Sequence, residues 1–198
     1  SDKGNYRHFM EKEIYEQPQA VLNTLDGRIG GGDVREDIFG KGSSELFKKV
    51  RRIQIVACGT SLHAARVASN WLSSISGIPT QIDYASEYRY RNPHVDKDSL
   101  FVTISQSGET ADTLAALKYS EEKDYLSSVT ICNAPTSSIA RESKYFFYTN
   151  AGPEIGVAST KAFTTQLVGL MLLALSLAKS RNMNPKLRKR IITALRKL

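Results

Sequence analysis

Two short segments gather small residues, hydroxyls and glycine in a pattern that suits an anion. One is Cys58-Gly59-Thr60-Ser61, the other Ser105-Gln106-Ser107-Gly108-Glu109-Thr110. Each follows an apolar, β-branched run and opens a helical pattern. At a helix N-terminus the first backbone N–H groups lack intrahelical partners, and the helix dipole favours negative charge. Serine and threonine hydroxyls add donors, and glycine lets the backbone approach closely. Two such turns at the carboxyl ends of neighbouring strands make a phosphate cradle. The plainer alternative is that these hydroxyls only cap helices. No G-x-G-x-x-G follows a strand. Gly40-Lys41-Gly42 is not a P-loop, because glycine follows the lysine and Arg35 stands where its first glycine belongs. A small phosphorylated ligand is therefore expected rather than a dinucleotide, with no cofactor and no metal.

A third segment, Asn150 to Lys161, also follows a strand and opens a helix. Glu154 is a candidate acid/base and Lys161 a charge anchor, with a surface turn and ion pair as the plainer alternative. His8, His63 and His94 have no metal-ligand spacing. His63, on the first turn of a helix, is expected to pack or cap. Cys58 and Cys132 end apolar strands and are expected as buried free thiols, Cys58 with a helix N-terminus beside it that favours the thiolate.

The elements that must position these residues are legible as alternating strands and helices. Strands are predicted over 53–58, 80–84, 100–105, 128–132 and 145–149, with helices over 62–75, 86–90, 110–123, 138–142 and 159–180. Short strands rich in Val, Ile and Phe, alternating with helices, imply a parallel sheet covered on both faces: an α/β, three-layer α/β/α fold. Ahead of them, 9–25 reads as a helix broken near Pro18, 26–32 as a loop, and 43–50 as a short helix. Pro185 opens an amphipathic C-terminal helix with Leu187, Ile191, Leu195 and Leu198 on one side and Lys186 to Arg190 as a solvated face.

The 198 residues, 41% hydrophobic and 24% charged, suit a folded domain and exclude a disordered chain. The longest apolar run, Leu167 to Leu177, is shorter than the roughly 20 residues a bilayer requires, and no membrane partner is expected. No apolar signal region follows the polar start. Two cysteines and no Asn-x-Ser/Thr site fit a reducing cytoplasm. The net charge of +7 belongs to the tail: residues 179–198 hold eight basic side chains and no acid, and the rest carries 19 basic against 20 acidic. A grip on polyphosphate needs a basic face across the fold, so nucleic acid is not an expected partner.

Taken with Glu154-Ile155-Gly156-Val157-Ala158-Ser159-Thr160-Lys161 and with His8-Phe9-Met10-Glu11-Lys12-Glu13-Ile14-Tyr15-Glu16-Gln17-Pro18, the two turns resemble the first sugar-isomerase (SIS) subdomain of the isomerising glutamine–fructose-6-phosphate aminotransferase family, also called glucosamine-6-phosphate synthases. The likeness covers residues 2–180. It implies an SIS fold with a five-stranded parallel sheet in flavodoxin-like order 2-1-3-4-5, within a division into an N-terminal linker and helical segment (1–50), an SIS domain (51–180) and a basic C-terminal helix or linker (181–198). It implies that Ser61, Ser105, Gln106, Ser107 and Thr110 hold a sugar phosphate and that Thr60, Val157 and Ser159 line the sugar. Family members turn fructose 6-phosphate and glutamine into glucosamine 6-phosphate and glutamate. The expected partners are a hexose 6-phosphate, a second SIS subdomain, a glutaminase domain and a second copy of the chain. No catalytic residue is expected here, since the family's ring-opening histidine, proton-moving glutamate and Schiff-base lysine have no counterpart in this sequence. The chain thus reads as an inactive substrate-binding fragment. Two other readings stay open: a self-contained sugar-phosphate isomerase, for which Glu154 and His63 are the acid/base candidates, and an SIS sensing module of a regulator.

Overall fold

A computed structural model of the chain describes residues 2–198. In chain order the elements are α1 (Phe9–Tyr15), α2 (Gln17–Leu25), β1 (Ile29–Gly30), β2 (Asp33–Val34), α3 (Ser43–Lys49), β3 (Arg52–Ala57), α4 (Gly59–Ser76), β4 (Thr80–Tyr84), α5 (Ala85–Tyr88), β5 (Ser99–Ser105), α6 (Ala111–Glu121), β6 (Ser127–Cys132), α7 (Ser138–Glu142), β7 (Tyr145–Tyr148), α8 (Lys161–Ser180) and α9 (Pro185–Leu195). The main sheet runs β4-β3-β5-β6-β7 with every neighbouring pair parallel. Counted within that sheet the order is the expected 2-1-3-4-5, and the architecture is the expected three-layer α/β/α.

Alternation along the strands sorts side chains between two cores. Ile53 and Ile55 of β3, Leu100, Val102 and Ile104 of β5, and Val129 and Ile131 of β6 join the larger core with α4 and α8. Helix α8 brings Leu170, Leu172, Leu173 and Leu175 to zero exposure, each side chain worth about 1.5–3 kcal/mol removed from water. The opposite face buries Val56, Phe101, Tyr88, Leu117 and Ile139 under α5, α6 and α7. This second face also admits polar groups, each paired: Gln54 Nε2 donates to Asp83 Oδ2 at 3.1 Å, and the Thr103 and Thr130 hydroxyls meet at 2.6 Å. A buried hydroxyl left unpaired costs more than its hydrogen bond gains, so such positions come in partnered sets. Helix α8 is long and apolar enough to pass for a membrane span, but it is the central core helix.

The break expected near Pro18 is present: α1 and α2 part at Glu16, with Pro18 in the first turn of α2, where its missing N–H costs nothing. Three expectations change. The glycine-rich loop contains a two-residue antiparallel ladder, Ile29 with Val34 and Gly30 with Asp33. Helix α8 begins at Lys161 rather than Ser159, because Ser159 and Thr160 belong to the preceding loop. The inner face of helix α9 is the expected one only in part: Ile191 and Leu195 pack on the core, but the fully buried positions are Arg188 and Ile192, four residues apart, while Leu187 and Leu198 are exposed. The Arg188 guanidinium bridges to Asp33 at 3.0 Å and donates to the Met183 carbonyl. A basic residue on the face read as solvated is thus the docking anchor of the helix.

Candidate functional site

The chain leaves β3 towards β4 on one side and returns to β5 on the other. The crevice between the carboxyl ends of β3 and β5 is therefore the topological switch point, where open parallel sheets receive ligands. A cavity of about 250 Å³ lies there, lined by Cys58, Gly59, Thr60, Ser61, Ile104, Ser105, Gln106, Ser107, Thr110 and Thr113. Six of the eight residues singled out for ligand binding meet around it, drawn from two turns 45 residues apart in sequence. No charged side chain lines it, so its affinity for an anion comes from backbone dipoles and hydroxyls.

Helix capping does not use up these donors. The residue before α4 is Cys58, which makes no side-chain cap, and Thr110 before α6 makes none either. The first-turn N–H groups of a helix lack intrahelical partners, and Gly59, Thr60 and Ser61 at the start of α4 and Thr110 and Thr113 at the start of α6 line the cavity. Within the second turn, Ser105 Oγ accepts from the Gly108 N–H at 2.9 Å and Ser107 Oγ from the Glu109 N–H at 3.2 Å. An oxygen that accepts from the backbone keeps its own O–H free to donate. Gly108 itself, at φ +69°, presses so closely on Ser137 that a Cβ would overlap it and lie 2.9 Å from Cys132 Sγ. Only glycine permits this turn to fold back against β6.

The charged candidates point elsewhere. Glu109 turns to α7 and accepts from the Ser138 N–H at 2.8 Å. The hydrogen bonds with Ser138 hold its carboxyl below the usual range, so it is an anion that caps a helix, outside the cavity lining. His63 is exposed on α4 and does not line the cavity either. Cys58 is half-buried rather than buried and forms part of the cavity wall, with the Thr113 hydroxyl 3.9 Å from its sulfur. Cys132 is buried as expected, and burial pushes its thiol pKa up.

The loop from β7 to α8 holds no acid/base pair. Glu154 Oε2 accepts from the Thr160 N–H at 3.0 Å, the Ala162 N–H at 2.9 Å and the Thr160 hydroxyl at 3.3 Å, which makes it the N-terminal anchor of α8. Lys161 is 4% exposed and meets Glu16 at 2.6 Å, 145 residues away. That ammonium holds the Glu16 carboxyl below its ordinary range. The sequence reading missed Glu13. It is 2% exposed, and its carboxylate accepts from the Ile155 N–H at 2.5 Å and from the Gly156 N–H at 3.1 and 3.2 Å. The missing signal is a partner 142 residues downstream, which no local pattern records. Val157 is fully exposed, Ser159 is half-buried, and neither lines the cradle cavity.

A larger hollow, about 1020 Å³, lies at the opposite, amino-terminal edge of the sheet beside Lys41, Lys123 and Lys144. It is an open trough in which Lys144 is 65% exposed, away from the switch point, and we assign the ligand site to the smaller cradle. Among the described residues no group of three or more His, Cys, Asp or Glu side chains could hold a metal ion.

This sheet, with its paired hydroxyl turns at the switch point, defines the class. Residues 46–176 match the family model of the SIS domain, and the chain belongs to the SIS family. Within that family it is similar over nearly its whole length to isomerising glutamine–fructose-6-phosphate aminotransferases. It is 62% identical to the Pseudomonas aeruginosa enzyme of that name over 90% of the chain and 29% of the relative, and 52% identical to the Escherichia coli K12 enzyme over 100% of the chain and 32% of the relative. The chain thus spans about a third of the length of these curated relatives. Among solved structures, the C-terminal domain of glucosamine-fructose-6-phosphate aminotransferase from Francisella tularensis superposes with a TM-score of 0.95 at 48% identity, covering 100% of this chain and 56% of that one. A glucosamine-6-phosphate deaminase from Thermotoga maritima, at 19% identity and a TM-score of 0.68 over 93% of this chain and 52% of that one, shares the fold.

Proposed function

We propose that this chain is the sugar-phosphate-binding half of the isomerase domain of a glucosamine-6-phosphate synthase, a cytoplasmic transferase that makes glucosamine 6-phosphate from fructose 6-phosphate and glutamine. In this reading Ser61, Ser105, Gln106, Ser107 and Thr110 hold the phosphate. Thr60, Val157 and Ser159 face the sugar. The groups that open the ring and move the proton belong to a second SIS subdomain, the amine comes from a glutaminase domain, and the working enzyme is a homodimer.

The observation that carries this reading is the pair of helix N-termini, uncapped by side chains, that meet with three serines at the switch point. It supports anion binding without proton transfer, because the cavity holds hydroxyls and backbone donors and no carboxylate, imidazole or ammonium. The self-contained isomerase reading loses its leading acid/base candidate, since Glu154 is committed to α8. Calorimetric titration with glucosamine 6-phosphate checks the assignment. We expect weak binding that Ser107→Ala reduces, by about 1.5–3 kcal/mol for one charge-assisted hydrogen bond. Equal affinity in both proteins would reject Ser107 as a phosphate ligand.

A further inference from the structure

The loop of residues 151–160 leaves the carboxyl end of β7, on the same edge of the sheet as the cradle, and has no strand or helix of its own to hold it. Asn133 holds its start at Ala151 and Gly152, and residues from the start of the chain hold its middle and the first turn of α8 that follows. The Glu13 carboxylate takes the Ile155 and Gly156 N–H groups, Glu16 takes the Lys161 ammonium, and Gln17 Oε1 accepts from the Thr164 hydroxyl at 2.5 Å. Glu13 is the most committed of them. Burying a carboxylate is costly unless it is paired or hydrogen-bonded, and here every recorded partner is a backbone N–H of this loop. The fit is close from the other side as well: a Cβ on Gly156 would lie 2.6 Å from Glu13 Oε2. Three residues past Gly156, the Ser159 hydroxyl oxygen is buried and has no hydrogen-bond partner. A buried polar group without a partner calls for an explanation, and Ser159 is one of the residues proposed to face the sugar.

We infer that Glu13 is a positioning residue: by gripping the backbone of Ile155 and Gly156 it sets the height of the loop over the sheet edge, and so how tightly the sugar part of a hexose 6-phosphate is held. This rests on the reading of the cradle as the phosphate site. The carboxylate touches no ligand. It acts through the loop that carries Val157 and Ser159, and the phosphate turns on β3 and β5 stand apart from it.

The test titrates the 198-residue chain with two ligands, glucosamine 6-phosphate and inorganic phosphate, in the wild type, Glu13→Gln and Gly156→Ala. Glu13→Gln keeps the shape and removes the charge; Gly156→Ala pushes the same contact apart from the loop side. In both variants the Kd for glucosamine 6-phosphate is expected to rise about tenfold, while that for inorganic phosphate stays within about twofold of wild type. The Ile155 and Gly156 amides are expected to exchange hydrogen faster. Equal weakening of both ligands, or no change in either while the amides exchange freely, overturns the inference. A wild-type chain that binds phosphate and glucosamine 6-phosphate equally well overturns it too, and leaves the cradle standing. A wild-type chain that binds neither ligand overturns the cradle reading itself.

Discussion

Ser107 shows how a single side chain can serve the backbone and a ligand together. Its oxygen accepts from the Glu109 N–H and keeps its own O–H free to donate. Removing it therefore takes away a donor to an anion, which is why the Ser107→Ala effect is expected at the size of a charge-assisted bond rather than of a contact between neutral groups. These residues were legible in the sequence because their chemistry is local: a strand, a short turn of small and hydroxyl residues, then a helix. Glu154 and Glu13 were not legible in the same way. Both are carboxylates near the site, yet Glu154 caps the helix that follows it and Glu13 holds a loop from across the fold. A carboxylate's role depends on what donates to it, and only the fold supplies that.

The five strands of the main sheet and their parallel pairing were readable because β-branched runs separated by helical stretches leave few other arrangements, and their order was what the family resemblance implied. What went unread are the contacts between distant charges. Helix α9 docks through Arg188 on Asp33, and the break between α1 and α2 sits at Glu16, whose carboxylate is held by Lys161. The second of these contacts predicts a pH dependence. The Lys161 hydrogen bond lowers the Glu16 pKa in the folded state, so the folded chain prefers the ionised carboxylate more than the unfolded chain does. The stabilisation is fully present above the ordinary glutamate pKa, about 4.3, and is lost as pH falls through the lower folded value. Glu16→Gln should therefore melt below wild type at pH 6, and the gap should narrow as the pH approaches 3. A gap in Tm that stays constant over that range would show that the ion pair is not the cause.

Across the whole molecule, the core of the sheet and its carboxyl edge serve two ends. The α4 and α8 side is apolar and holds the fold, while the carboxyl edge collects the turns, the loop and the open helix N-termini. The cradle lining holds no carboxylate, imidazole or ammonium, and moving a proton between the first two carbons of a sugar requires a base placed beside them. Incubating the chain with fructose 6-phosphate in deuterium oxide is expected to give no exchange at C1 above buffer. Exchange that Glu154→Gln abolishes would favour a self-contained isomerase instead.

The cradle itself is open to a direct reading, because its ligands are backbone amides as much as side chains. Titration of the isotopically labelled chain with glucosamine 6-phosphate, followed by amide resonances, reports each turn separately. The shifts are expected at Thr60 and Ser61 of the first turn and at Ser107 and Thr110 of the second, reproduced by inorganic phosphate and absent with glucosamine. Shifts confined to the opposite trough around Lys41 and Lys144, or equal shifts with unphosphorylated glucosamine, would contradict a phosphate cradle at the switch point.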